Sequence, residues 1–173
     1  FALLAVGDLS TPLRALIYLA VSQREDGGFH QNFWIDGRPY WRGIQLDEVA
    51  FPVLLAWRLW KHGALGNFDA YEMVRRATGF LLREGPITAQ DRWEEASGYS
   101  PSTLAVHIAA LVCAAEFLAD RGDEPSARLV RDYADFLESH IERWTVTTQG
   151  TLVPGITRHY LRINPGDIRQ CRD

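Results

Sequence analysis

Ser100-Pro101-Ser102-Thr103-Leu104-Ala105-Val106-His107-Ile108-Ala109-Ala110-Leu111-Val112-Cys113-Ala114-Ala115-Glu116-Phe117-Leu118-Ala119 is the stretch on which the fold turns. Ser100 suits an N-cap and Pro101 the first helical position, so a helix opens at Pro101 and runs to about Ala119. Its apolar side chains, Leu104 through Phe117, cover almost every side of the helical turn, which predicts burial all round. The apolar run from Leu104 carries His107 and Glu116 and reads as too short to span a bilayer. A helix enclosed on all sides needs other helices around it.

The flanking sequence supplies them. Thr11 reads as an N-cap and Pro12 as a first helical residue, with Leu13, Leu16, Ile17 and Ala20 at helical spacing as far as Ser22. From Leu46 to Lys61, one stripe holds Leu46, Val49, Val53, Trp57 and Trp60, with Pro52 expected to kink it locally. Phe68 to Arg83 gives the cleanest stripe, through Met73, Val74, Ala77, Phe80 and Leu81. A last helix is expected from about Pro125 to Trp144, with Asp123 near its start and Val130, Tyr133, Leu137 and Ile141 on its apolar side. No convincing strand pair stands out. The connections 23–45, 84–100 and 145–173 are long and mix Gly, Asp, Trp and Pro. Loops of that length in a compact domain carry function. The expected fold class is therefore all-α, about five helices with long functional loops. A layered helical barrel or toroid fits this better than a four-helix bundle with short connections.

Composition narrows the chemistry. The 173 residues suffice for one sizeable core, and 47% hydrophobic with 23% charged residues is ordinary globular usage. Eighteen Lys and Arg against 22 Asp and Glu leave a net charge of −4, so neither nucleic acid nor a membrane is an expected partner. Cys113 and Cys171 make no disulfide framework, and Cys113 reads as an inert core thiol. His30, His62, His107, His140 and His159 lack metal-ligand spacing, and no phosphate-binding glycine loop occurs, so neither metal nor cofactor is expected. Ser100 and Ser102 lie outside any GxSxG pattern. The Arg158-His159-Tyr160-Leu161-Arg162 run is too small for a nucleic-acid footprint.

Two segments carry candidate chemistry. Gln90-Asp91-Arg92-Trp93-Glu94-Glu95-Ala96-Ser97-Gly98-Tyr99 sets two adjacent carboxylates beside a Trp, just before the apolar helix. A carboxyl group desolvated against an aromatic wall keeps its proton near neutrality and can serve as a general acid. The same residues also read as a solvated acidic loop with Trp93 as a core plug. Glu94 and Glu95 are not a working pair with each other, because adjacent side chains diverge. In the second segment, Asp26 to Trp41, Trp and Tyr faces alternate with Asp, Asn, Gln and Arg, and Gln45-Leu46-Asp47-Glu48 follows. Aromatic faces stack on sugar rings and those polar groups bond hydroxyls, which suits a polyol pocket. A turn-rich connector whose aromatics close a barrel end reads equally well from the residues alone.

The motifs taken together tip these alternatives. Asp91-Arg92-Trp93-Glu94-Glu95, followed by Ser97-Gly98-Tyr99-Ser100-Pro101-Ser102-Thr103, resembles the catalytic-acid region of glycoside hydrolase family 15. That family holds glucoamylases, glucodextranases and some trehalases. Asp36 to Glu48 looks like its preceding loop and inner helix, and Val153 to Pro165 is similar to its bacterial glucodextranase-type members. The resemblance implies part of an (α/α)6 barrel with a funnel-shaped pocket, hydrolysing α-glucosidic bonds with inversion to release glucose. Carried over residue by residue, it implies Glu94 as general acid and Glu95 as a substrate-binding carboxylate. Asp91 and Trp93 become pocket residues around the acid, Trp41 an aromatic supporting acid and sugar, and Asp47 a further substrate-binding candidate.

Inversion also needs a base roughly 6.5–9.5 Å from the acid. In the family that base lies well beyond the position matching Asp173, so residues 1–173 are expected to be one internal part of the catalytic domain, inactive alone. The implied partners are an α-glucoside or α-glucan and the rest of that domain. A trehalase of the same family and a non-catalytic helical sugar-binding module are the competing readings. A helical toroid acting on isoprenoid diphosphates would need an Asp-rich metal cluster, which is absent from the sequence.

Overall fold

In a computed structural model, residues 1–41 and 43–165 are described. Cys171 lies outside the described residues, and with it the reading of the cysteine pair. The helices are α1 (Ala2–Ala5), α2 (Ser10–Ser22), α3 (Leu46–Lys61), α4 (Tyr71–Glu84), α5 (Pro101–Asp120) and α6 (Glu124–Thr145). Helix α1 is one more than the sequence suggested. Two-residue strands β1 (Val146–Thr147) and β2 (His159–Tyr160) pair antiparallel, Val146 opposite Tyr160, where no strand pair was expected. Strands this short leave no periodic signature.

The helix ends follow local chemistry. Asp8, not Thr11, starts α2: its Oδ1 accepts from the backbone N–H of Ser10 and Thr11, both at 3.0 Å, so the helix begins two residues early. Helix α4 begins at Tyr71, later than the stripe suggested, where Asp69 Oδ1 accepts the Tyr71 N–H. Ser100 caps α5 by accepting from Thr103 N, and Asp123 caps α6 by accepting from Ser126 N. Helix α3 has Asp47 and Glu48 in its first turn and Arg58 and Lys61 in its last, charges that match its macrodipole.

Helix α5 is the centre of the packing, lying against α3, α4 and α6. It buries Leu104, His107, Leu111, Ala115 and Leu118, but Val112 is 48% exposed and Ala105 is exposed too. Burial all round is therefore corrected to burial on a broad face, because α5 meets neighbours on some sides only. By length and composition α5 is also sufficient to cross a membrane, contrary to the reading from the apolar run. Its contacts with three helices account for that composition. Cys113 is half-buried rather than a core residue, and burial, with the nearby Glu116 charge, pushes its thiol up to about 11.

Cross-links show that α3 and α5 run the same way. At one end Lys61 pairs with Glu116 and Trp60 stacks on Phe117, 4.8 Å between ring centres. At the other end the long loops before α3 and α5 are joined, Gln90 N donating to Ile44 O at 3.2 Å and Leu46 N to Thr88 Oγ1 at 3.3 Å. Short turns lie at the first end and all the long loops at the second. That second end holds the candidate residues.

Candidate active site

Thr88 and Gly98 pair across the base of the acidic loop, each N–H donating to the other's carbonyl at 3.1 Å. Inside it, Asp91 N donates to Ala96 O at 2.7 Å and Glu94 N to Asp91 O at 2.8 Å. These bonds close a tight turn with Glu94 at its apex, in the left-handed region at φ 61°. That conformation costs a non-glycine residue about 1–2 kcal/mol. The Asp91 side chain offsets the strain from within: its Oδ1 accepts from Glu95 N at 3.0 Å and from Ala96 N at 3.4 Å.

A third loop braces the turn. Arg162 Nη1 lies 3.2 Å from Asp91 Oδ2 and 2.8 Å from Glu95 Oε2. Burial raises the Asp91 carboxyl pKa, but the Glu95 and Ala96 N–H donors and the Arg162 charge outweigh it, leaving the group below the usual carboxylate range. Arg162 is itself held in place. Tyr99 and Asn164 exchange backbone hydrogen bonds, Asn164 Nδ2 donates to Trp144 O at 2.7 Å, and Tyr99 stacks on Trp144. Gly98, at φ 147°, is required here: a Cβ would stand 2.2 Å from the Asn164 carbonyl oxygen.

Glu94 points outward, and Gln31 Nε2 donates to its Oε1. Glu94 is exposed, Trp93 is 64% exposed rather than a core plug, and Trp41 is 37% exposed. Trp41 is tied to the acidic loop, its Nε1 donating to Gln90 Oε1 at 3.3 Å. Trp34 and Tyr40 meet edge to face, both more than half exposed, and close the neighbouring hairpin.

The start of α3 lies beside this turn. Gln45 and Asp47 are buried, yet Gln45 Nε2 and Asp47 Oδ1 have no hydrogen-bond partner. Glu48 is half-buried and lines a cavity of about 250 Å³ with Phe29, His30, Gln31 and Phe51. Burial, then the charges of Asp47 and Glu94, push its carboxyl up to about 7 against the opposing hydrogen bond at Gln45. Among the described residues no group of three or more His, Cys, Asp or Glu side chains is placed to hold a metal.

The structure thus brings Glu94, Glu95, Asp91 and Trp93 into one turn, ties Trp41 to its side, and places Asp47 on the adjoining helix start. Asp91 spends its carboxylate on the turn and on Arg162. Gln31, Glu48 and Arg162 were not singled out from the sequence. One signal for Arg162 was available: three carboxylates within Asp91–Glu95 need a cation, and Arg92 is the only basic residue among them. Chemically, the arrangement presents one carboxyl group to solvent beside exposed tryptophans and buried polar atoms that still want partners, a surface suited to polyhydroxyl ligands.

The family model for glycosyl hydrolases family 15 matches residues 20–167, which include both loops and the helices between them. The chain belongs to glycosyl hydrolase family 15. A glucoamylase of Clostridium sp. (strain G0005) is 40% identical over 163 residues, covering 94% of this chain and 22% of that protein. The crystal structure of a bacterial glucoamylase complexed with acarbose superposes with a TM-score of 0.84 at 40% identity, covering 94% of this chain and 23% of that one. The chain therefore spans under a quarter of the length of either relative. Its helices form part of the family's (α/α)6 barrel, in agreement with the fold class read from the sequence.

Proposed function

We propose that the protein hydrolyses α-glucosidic bonds with inversion, releasing glucose from α-glucans, and that residues 1–173 are the part of its catalytic domain that carries the general acid, Glu94. The observation that carries this reading is the turn itself. In a chain of this family, a carboxyl group is held at a left-handed apex by Asp91 and Arg162 and is turned toward solvent beside Trp93. An acid must reach the glycosidic oxygen in one geometry, so a rigid turn under an accessible carboxyl group suits it. Glu95, Asp47, Trp93 and Trp41 are the sugar-facing groups in this reading, Asp47 because its Oδ1 is buried without a partner. Asp91 contributes to the pocket by holding its floor. The opposing base is supplied by another part of the same domain.

The test uses the protein expressed from its complete gene, assayed on maltose, isomaltose and trehalose. Glu94→Gln should cut kcat by roughly 10²–10⁴-fold on these sugars and spare α-glucosyl fluoride, whose leaving group needs no proton. Equal losses on sugar and fluoride would remove Glu94 from the donor's role. Turnover of trehalose alone would assign the trehalase activity instead, and binding without turnover a sugar-binding module.

A further inference from the structure

Gln31 links the acidic loop to the cavity beside the start of α3. Gln31 Nε2 donates to Glu94 Oε1, while Gln31 Oε1 is buried and has no hydrogen-bond partner. Gln31 and Glu48 line the same cavity, whose other walls include Phe29, Phe51 and Pro52. An amide that donates from one end and is orphaned at the other is held more firmly in that orientation when a donor serves its oxygen. A protonated carboxyl group is such a donor; an ionised one is an acceptor and turns the amide round.

We propose that Glu48 is a positioning residue for the general acid: its protonated carboxyl group donates to Gln31 Oε1, and so fixes the Gln31 amide with its N–H on Glu94. This rests on the reading of Glu94 as the acid. Glu94 needs the help, because it is exposed and the only side-chain hydrogen bond it makes among the described residues is to Gln31. The surroundings of Glu48 favour the protonated form. It is half-buried against apolar side chains, with Asp47 on its own helix and Glu94 on the acidic loop both adding negative charge, so its proton is held up to about pH 7. Among the described residues, the other ionisable side chain on the cavity wall is that of His30. The His30 ring meets Phe33 edge-on at 5.7 Å.

The experiment is a pH profile of kcat on maltose for the protein expressed from its complete gene. The proposal expects the wild type to lose activity as Glu48 ionises above about pH 7. Glu48→Gln keeps a donor at every pH, so it should hold kcat within about twofold of wild type at pH 6 and move the alkaline fall to higher pH. Glu48→Ala removes the donor at every pH and should lower kcat by about 10-fold across the range, with KM little changed. A Glu48→Gln profile that overlays the wild type, or Glu48→Ala with unaltered kcat, overturns the proposal. Circular dichroism on both variants separates a folding defect from a positioning one. A wild type inactive on every α-glucoside would sink the functional reading; an active one still impaired by Glu94→Gln would leave the Glu48 result to stand or fall alone.

Discussion

His107 offers a test of the core that is independent of the chemistry. It is fully buried in α5, beside Tyr133 and beneath Gly85, where a Cβ would come within 2.4 Å of its ring. Neither ring nitrogen has a hydrogen-bond partner. Burial pushes its pKa down from 6.5 to about 4. The unfolded chain therefore takes up the proton first as pH falls. The contribution of neutral His107 is complete above about pH 6.5, declines between 6.5 and 4, and is lost below that. A gap of about 2.5 units at 1.36 kcal/mol each amounts to about 3 kcal/mol. The perturbation is His107→Leu, which keeps an apolar side chain of similar size and cannot titrate. Urea unfolding at about pH 7 and about pH 4.5 should show the wild type losing about 2–3 kcal/mol more than the variant across that interval. At about pH 7 the variant should be no less stable, because two unsatisfied polar atoms leave the core. Parallel losses in the two proteins would show that His107 is hydrated or bonded in the folded state, and the reasoning would fail.

Gly98→Ala should lower stability by about 2 kcal/mol or more, read as a lower urea midpoint, since the new Cβ meets the Asn164 carbonyl at 2.2 Å. Arg162→Ala strips the counter-charge from buried Asp91 and from Glu95. As the guanidinium is half exposed, the urea midpoint should fall only slightly, with Arg162→Lys recovering part of the loss in the same assay. Glu95→Gln should raise KM and lower turnover of maltose and α-glucosyl fluoride together, and a loss on maltose alone would make Glu95 the proton donor. Leu111→Ala, in the fully buried centre of α5, should cost about 2–5 kcal/mol by urea unfolding.

What the sequence disclosed follows from how local each signal is. Helix α3 was legible to the residue, Leu46 to Lys61, because its stripe and its end charges lie within the element itself. Ser100-Pro101 fixed the start of α5 for the same reason. The start of α2 was misread because the capping carboxylate, Asp8, lies outside the stripe it serves. The sides of α5 could not be assigned because composition says how apolar a helix is and not how many neighbours reach it; Val112 shows the difference. At the site, Asp91-Arg92-Trp93-Glu94-Glu95 announced itself as a run. Its supports did not, since Gln31 lies 63 residues before Glu94 and Arg162 lies 67 after Glu95. No local spacing rule spans such distances. The exposure of Glu94 and Trp93 was not legible either, because it follows from the left-handed apex of the turn that carries them.

The division of labour in that turn explains why a strained backbone and a free side chain occur at one residue. On the reading proposed above Glu94 is the general acid, and a general acid has to be fixed relative to the substrate and yet accessible at its oxygen atoms. Bonding both oxygen atoms of the Glu94 carboxyl group would satisfy the first need and defeat the second. The fold instead fixes the backbone, through the Asp91 carboxylate, the Thr88–Gly98 pairing and Arg162, and among the described residues leaves the side chain a single hydrogen bond, from Gln31. A left-handed residue at an apex projects its side chain away from the turn's interior, where Asp91 already sits, and the strain of about 1–2 kcal/mol is sustained because neighbouring contacts over-determine the conformation. The same logic accounts for Asp91 being the buried carboxylate of the group and Glu94 the exposed one: the shorter side chain reaches the backbone N–H groups of its own turn, and the longer one reaches outward.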